Sequence, residues 1–336
     1  MPKHKIVINL IETLTGHWYR VIPEPDMEIL LPSSTTVLEY FPSPSLDFWK
    51  TNTSPEEIKE KQEAGKTQGS KVHHCIDVAI QGGTVDVNGL TEEQIKSIGL
   101  SDKKLVSYLQ EPLTERESKA LVGFENFWFD KLPVTEKNEI QVFNYKRGKD
   151  GVYNGYAGTL DWVGYLWDSK RKQYDLWILD WKTSKTPSKS NSLQVVSYHK
   201  ALEFTYKKKI NARLGVVYLG NTTKKKYTLS EIKDGKECWE MFKTTKLLWD
   251  FLNPNKKPDL TVLQEKYAIN TSYDFTARKS LLTTNKNAKR TSKGLKSISP
   301  LRPMRKVSEQ ENIGSPLPSD EMGDQLPLLV PTPSEG

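Results

Sequence analysis

The chain has 336 residues, 36% of them hydrophobic, enough for one sizeable core with decoration or for two small domains. Its formal net charge of +7 suits a polyanionic partner without fixing the fold. The two cysteines, Cys75 and Cys238, exclude a disulfide framework, a cysteine-rich zinc site and a four-cysteine iron–sulfur cluster. No apolar run approaches the ~20 residues of a membrane span, and the N-terminus lacks the pattern of a cleavable leader. A soluble, intracellular protein with no membrane partner is expected.

The first 40 residues read as β-rich, with strand-like runs at Lys5–Leu10 and His17–Ile22 closed by Pro23 and Pro25. Ser54-Pro55-Glu56-Glu57 starts a helix: a capping serine, proline at the first position and early acids. That helix is expected to stop near Gly65, with a second over Ser70–Ile80 ended by Gly82-Gly83. A third, Thr114–Lys131, carries Leu121, Phe124, Phe127 and Trp128 at helical spacing. Strands follow at Glu139–Tyr145, Tyr156–Trp167 and Tyr174–Thr183, then a helix over Ser190–Tyr206. Strands at Arg213–Leu219 and Lys226–Leu229 precede a last helix, capped by Ser230 and reaching Leu252. Beyond about Arg278 a basic block gives way to an acidic, proline-rich one without apolar periodicity, and this tail is expected to be disordered. Three sections result: 1–132 with strands and helices, a core over 133–275, and the tail 276–336.

The informative segment is Gly158-Thr159-Leu160-Asp161 with Asp180-Trp181-Lys182-Thr183. The polar stretch Asp168–Gln173 is short enough to close an antiparallel hairpin. With its turn centred between Lys170 and Arg171, Asp161 faces Asp180, and Lys182 points from the same face as Asp180. A bulge in either strand would spoil this pairing. Carboxylates facing each other across a ladder repel unless a cation sits between them. A hard divalent ion suits oxygen ligands and can activate water against a phosphodiester. A solvated surface pair is the simpler alternative, but Trp177, Ile178 and Leu179 place these charges at the end of a buried-looking strand. Gln194 and Tyr198 share one helix face. Upstream, Gly69-Ser70-Lys71-Val72-His73-His74 offers an imidazole from one of two adjacent histidines, and Glu139 offers a further acid. Gly65-Lys66-Thr67 is no phosphate loop, because Glu60 stands where the first glycine is required, so no nucleotide is expected. The runs Lys207–Lys209 and Lys224–Lys226, and aromatics among Trp49, Phe127, Trp128, Tyr153 and Tyr156, are candidates for backbone and base contacts.

The ordered set Gly-x-x-x-His, Glu, Gly-Thr-x-Asp, Asp-x-Lys-Thr and Gln-x-x-x-Tyr resembles the RecB-like branch of the PD-(D/E)XK nucleases. Leu179–Ser184, Leu193–Tyr198 and Leu31-Pro32-Ser33-Ser34-Thr35-Thr36-Val37-Leu38 are particularly similar to the mitochondrial genome maintenance exonucleases and their phage-encoded relatives. The likeness covers roughly residues 30–250. It implies a restriction-endonuclease-like mixed central sheet flanked by helices, with an N-terminal helical arch over the active-site face. It also implies Mg²⁺- or Mn²⁺-dependent exonucleolytic hydrolysis of single-stranded DNA or DNA ends in replication, recombination or repair. By the same resemblance Asp161, Asp180, His73 and the Trp181 carbonyl hold the metal, Lys182 is the catalytic lysine, and Glu139 assists the metal or its water. Gln194 and Tyr198 would contact the DNA backbone. The doubled histidine leaves His73 against His74 open, and the missing cysteines imply no iron–sulfur cluster. A structure-specific endonuclease of the same fold and an inert DNA-binding module are the alternatives. In the tail, Gln325-Leu326-Pro327-Leu328-Leu329 resembles peptides that dock on bacterial sliding clamps, through Gln325, Leu326, Leu328 and Leu329. The cytoplasm, or the host cytoplasm for a phage protein, is the expected location.

Overall fold

The computed structural model describes residues 6–13, 16–100, 103–149, 151–184, 187–254, 257–258 and 264–270. The tail, with the clamp-like peptide Gln325–Leu329, lies outside the described residues.

Three strands open the chain: β1 (Val7–Thr13), β2 (Gly16–Glu24) and β3 (Met27–Pro32). Helices α1 (Ser34–Leu38), α2 (Pro44–Thr51), α3 (Pro55–Ile80), α4 (Glu92–Ser97), α5 (Lys103–Gln110) and α6 (Glu115–Lys131) follow. Then come β4 (Val134–Arg147), β5 (Tyr153–Asp168), β6 (Gln173–Lys182), α7 (Lys189–Thr205), β7 (Arg213–Leu219), β8 (Tyr227–Glu231), α8 (Gly235–Leu252) and β9 (Gln264–Asn270). Five strands form a mixed sheet in the order β4-β5-β6-β7-β8, antiparallel except for the parallel β6–β7 pair, which α7 connects. A second, antiparallel sheet runs β3-β2-β1-β9.

Alternation along β6 sends its side chains to two cores. Ile178 joins a cluster with Leu193, Val195 and Val196 of α7 and Cys238 and Phe242 of α8. Trp177, Leu179 and Trp181 join another, with Val72, Cys75 and Ile76 of α3 and Phe124 and Phe127 of α6. The protein is therefore a mixed α/β structure whose mostly antiparallel five-stranded sheet is covered by helices on both faces. Among the described residues, no helix is long and apolar enough to cross a membrane.

Three expectations are corrected. The helix expected to stop near Gly65 continues unbroken to Ile80. Each interior glycine costs about 1 kcal/mol against alanine, but proline is absent from its interior, and burial of Val72, Cys75, Ile76, Val78 and Ala79 anchors the distal half. It ends where the sequence signals, with Gly82 at φ +88° and Gly83 N–H donating to the Val78 carbonyl at 2.9 Å, a Schellman closure. Ser230 caps no helix. It lies in β8 opposite Val216, and α8 begins after Asp234. The forked pairing of Arg213 with Glu231, at 2.8 and 2.7 Å, holds the strand past the serine. Finally, Phe127, Trp128 and Tyr156 are core residues rather than base-stacking surfaces.

A buried ion cluster fixes α3 against α5 and α6. Lys71, 1% exposed, donates to the carbonyls of Glu111 and Pro112 at 2.8 and 3.2 Å and lies 4.0 Å from Glu117 Oε2. Glu117 also accepts from Tyr108 OH at 2.6 Å and closes the capping box of Thr114. Lys71→Ala strands the Glu117 charge, and we expect a loss of about 3–5 kcal/mol in stability, read from denaturant melts. A loss below 1 kcal/mol would mean that the cluster is not a fixing point.

Candidate metal centre

Lys71 is pinned two residues before His73, and α3 thereby presents His73 to the middle of β5 and the C-terminal end of β6. Nε2 of His73 lies 2.9 Å from the Trp181 carbonyl. A carbonyl only accepts, so Nε2 carries the ring proton and Nδ1 keeps the lone pair. Nδ1 stands 3.6 Å from Asp161 Oδ2. Burial, and then the Lys182 charge, lower the pKa of His73 to about 4, so the ring is neutral near pH 7. Two acceptors thus face each other. His73, Glu139 and Asp161 each bring one ligand atom into a group lying within 4.8 Å. His74 is not part of it.

The backbone is bent to build this group. In β4, Glu139 has φ +49°, a left-handed conformation that costs a non-glycine residue about 1–2 kcal/mol. The β4–β5 ladder pairs Asn138 with Trp162 and Ile140 with Leu160, passing over Glu139 and Asp161. Across the same point β5 changes face: Leu160 packs with α7 and Trp162 with α3. The β5–β6 register follows the expected hairpin from Asp168↔Gln173 to Trp162↔Leu179 and stops there, one step before Asp161 would meet Asp180. Asp161 instead reaches across, and its Oδ2 accepts from the Trp181 N–H at 2.8 Å.

Asp180 stands beside the trio, 1% exposed. Its Oδ1 accepts from Gln194 Nε2 at 3.1 Å. Its Oδ2 lies 2.7 Å from Lys182 Nζ, a buried ion pair. Burial pushes both Asp161 and Asp180 up to about 6, with Lys182 opposing the rise in each. Glu139 is raised well above the usual carboxylate range by burial, then by Asp161, Asp77 and Asp180. For Lys182, burial works against the charge, but Asp180 and Asp161 outweigh it and hold the ammonium above its ordinary value.

Acid crowding and a neutral imidazole with its lone pair turned inward form a donor set that a divalent cation fits. Oxygen with one nitrogen suits Mn²⁺ well and Mg²⁺ also. His73, Glu139 and Asp161 would hold it, with Asp180 adjacent. The Trp181 carbonyl, expected as a ligand, is engaged by His73.

The chain matches no protein-family model, and no curated protein matches it.

Helix α7 supplies the other wall. Gln194 donates to both Asp180 and the Tyr198 hydroxyl, the latter at 2.9 Å, and both residues are buried. Gly158 makes room for the tyrosine, since a Cβ there would lie 2.3 Å from Tyr198 Cε1. Lys207–Lys209 are exposed, while Lys225 pairs with Asp130 at 2.6 Å. Two features were not anticipated. Asp77, one turn beyond His73, binds the Asn138 side chain next to Glu139. The Leu31–Leu38 segment docks on β5 and α7: Ser33 bridges Ala157, and Ser197 Oγ donates to Ser34 Oγ at 3.0 Å. The i,i+4 step from His73 to Asp77 was the available signal for the first. For the second, the resemblance marked the segment Leu31–Leu38 but not where it docks.

Proposed function

We propose that this chain is a divalent-metal-dependent deoxyribonuclease of the PD-(D/E)XK type, RecB-like branch, acting exonucleolytically on single-stranded DNA or DNA ends. The observation that carries the reading is the convergence of His73, Glu139 and Asp161 within 4.8 Å, beside a buried Asp180 paired with Lys182. The antiparallel hairpin β5–β6, followed by α7 and the parallel strand β7, supports a restriction-endonuclease-like sheet.

When bound, the divalent ion would supply Lewis-acid polarisation of the phosphodiester and a more acidic water. The protein's own groups do the rest. His73 is held neutral by burial and the Lys182 charge, and is oriented by the Trp181 carbonyl. Gln194 fixes Asp180, and Lys182 presents a cation to charge developing on the phosphate. Net charge of +7 draws the polyanion in.

The test is degradation of end-labelled single-stranded and duplex DNA with Mg²⁺, Mn²⁺ or EDTA. Metal-dependent release of label, stopped by EDTA, is the expected result, and the product ladder separates exonuclease from structure-specific endonuclease. A protein that binds DNA but cuts none of these substrates with either metal is an inert binding module instead.

A further inference from the structure

Resting on the metal-site reading above, we infer that Asp77 is a positioning residue: by holding the Asn138 side chain it fixes the left-handed backbone at Glu139, which delivers the Glu139 carboxylate to His73 and Asp161. A left-handed residue inside a strand persists only where its surroundings over-determine it. Here the β ladder pairs the residues on either side, Asn138↔Trp162 and Ile140↔Leu160, but not Glu139 itself. The hold comes from the helix. Asp77 is 8% exposed, and its Oδ1 accepts from Asn138 Nδ2 and from Gln81 Nε2, the latter at 3.0 Å. Gln81 is the C-terminal cap of α3, so the carboxylate is itself tied to a fixed point.

Asp77 and His73 stand one turn apart on the same helix face. One rigid element therefore sets two members of the group: His73 directly, and Glu139 through Asn138. Asp77 is not among the converging ligand atoms, and two amide donors occupy one of its oxygens. Its place is behind the site, where partners that orient ligands govern metal affinity.

The test is Mn²⁺ binding by titration calorimetry on the full chain, with melting temperatures recorded alongside. Wild type is compared with Asp77→Ala, Asn138→Ala, the double variant and Asp77→Asn. Asparagine at 77 keeps an oxygen acceptor for Asn138. The expected outcome is a Kd for Mn²⁺ raised about 10–100-fold in either alanine variant, no further in the double, and within about threefold of wild type in Asp77→Asn. Should folded Asp77→Ala and Asn138→Ala bind Mn²⁺ as wild type does, the positioning role falls while the metal centre stands. Additive losses, or Asp77→Asn as weak as Asp77→Ala, also overturn it, since the hydrogen bond to Asn138 would then not be the agent. A wild type that binds no Mn²⁺ removes the metal reading and this inference together.

Discussion

Lys182→Ala is expected to lower the rate of DNA hydrolysis by roughly 10²–10³-fold while leaving Mn²⁺ binding intact or tighter. The two effects separate because Lys182 is a cation beside the acids rather than a ligand. Its Nζ lies 2.7 Å from Asp180 Oδ2 and opposes the rise in the pKa of both Asp161 and Asp180. Removing that charge makes the pocket more negative, which favours a divalent ion. What disappears is a donor for charge that builds on the phosphate in the transition state, and groups of that kind act on rate more than on binding. Asp161→Ala should behave differently and lose both Mn²⁺ binding and cleavage, because Asp161 belongs to the converging trio. Single-turnover cleavage and calorimetry on the two variants check this. If Lys182→Ala cleaves at the wild-type rate, the lysine has no part in the chemistry. If it loses Mn²⁺ as well as activity, its role is structural.

Metal-free protein should gain stability when a site carboxylate is neutralised. Asp161 and Asp180 move from an ordinary 3.8 to about 6, chiefly through burial. The native state therefore holds protons that the unfolded state has already released. Stability from this source is fully present below about 4 and is lost as pH rises to about 6, on the order of 3 kcal/mol for one such carboxylate. Asp161→Asn removes the titration. Its melting temperature should match wild type near pH 4 and exceed it increasingly up to pH 7. Saturating Mn²⁺ at pH 7 should raise the wild type by mass action and leave the variant unmoved. A difference between variant and wild type that stays flat from pH 4 to 7 would show that Asp161 is not crowded in the folded protein. Equal gains from Mn²⁺ would place the ion elsewhere. On the predicted outcome, the acids are an example of stability given up for a site that works only when loaded.

The parts of this architecture that were legible in the sequence were those written in periodicity and turn chemistry. The polar turn after Asp168 set the register of β5 and β6, and the helical spacing of Leu121, Phe124, Phe127 and Trp128 marked α6. Thr91-Glu92-Glu93-Gln94 carries a capping box and marks α4, though without a long apolar stripe it did not stand out. The error at Gly65 arose because glycine weakens a helix locally, while the burial that sustains α3 comes from partners far along the chain. Strand β9 is another long-range effect: it pairs with β1 from far along the sequence, and no local pattern announces that.

For the candidate site, spacing brought Asp161, Asp180 and Lys182 to the same end of a hairpin. It did not show that the ladder would stop one pair early, or that Glu139 would adopt a left-handed φ. Both depend on contacts made by α3, through His73 and through Asp77 with Asn138. The choice of His73 over His74 likewise needed the helix in place.

The most direct measurement is an anomalous-difference map from crystals of the full chain soaked with Mn²⁺. The prediction is one strong peak among His73, Glu139 and Asp161, lost in crystals of Asp161→Ala. No peak at saturating Mn²⁺, or a peak only at some other cluster of acids, would contradict the metal centre and with it the nuclease built on it.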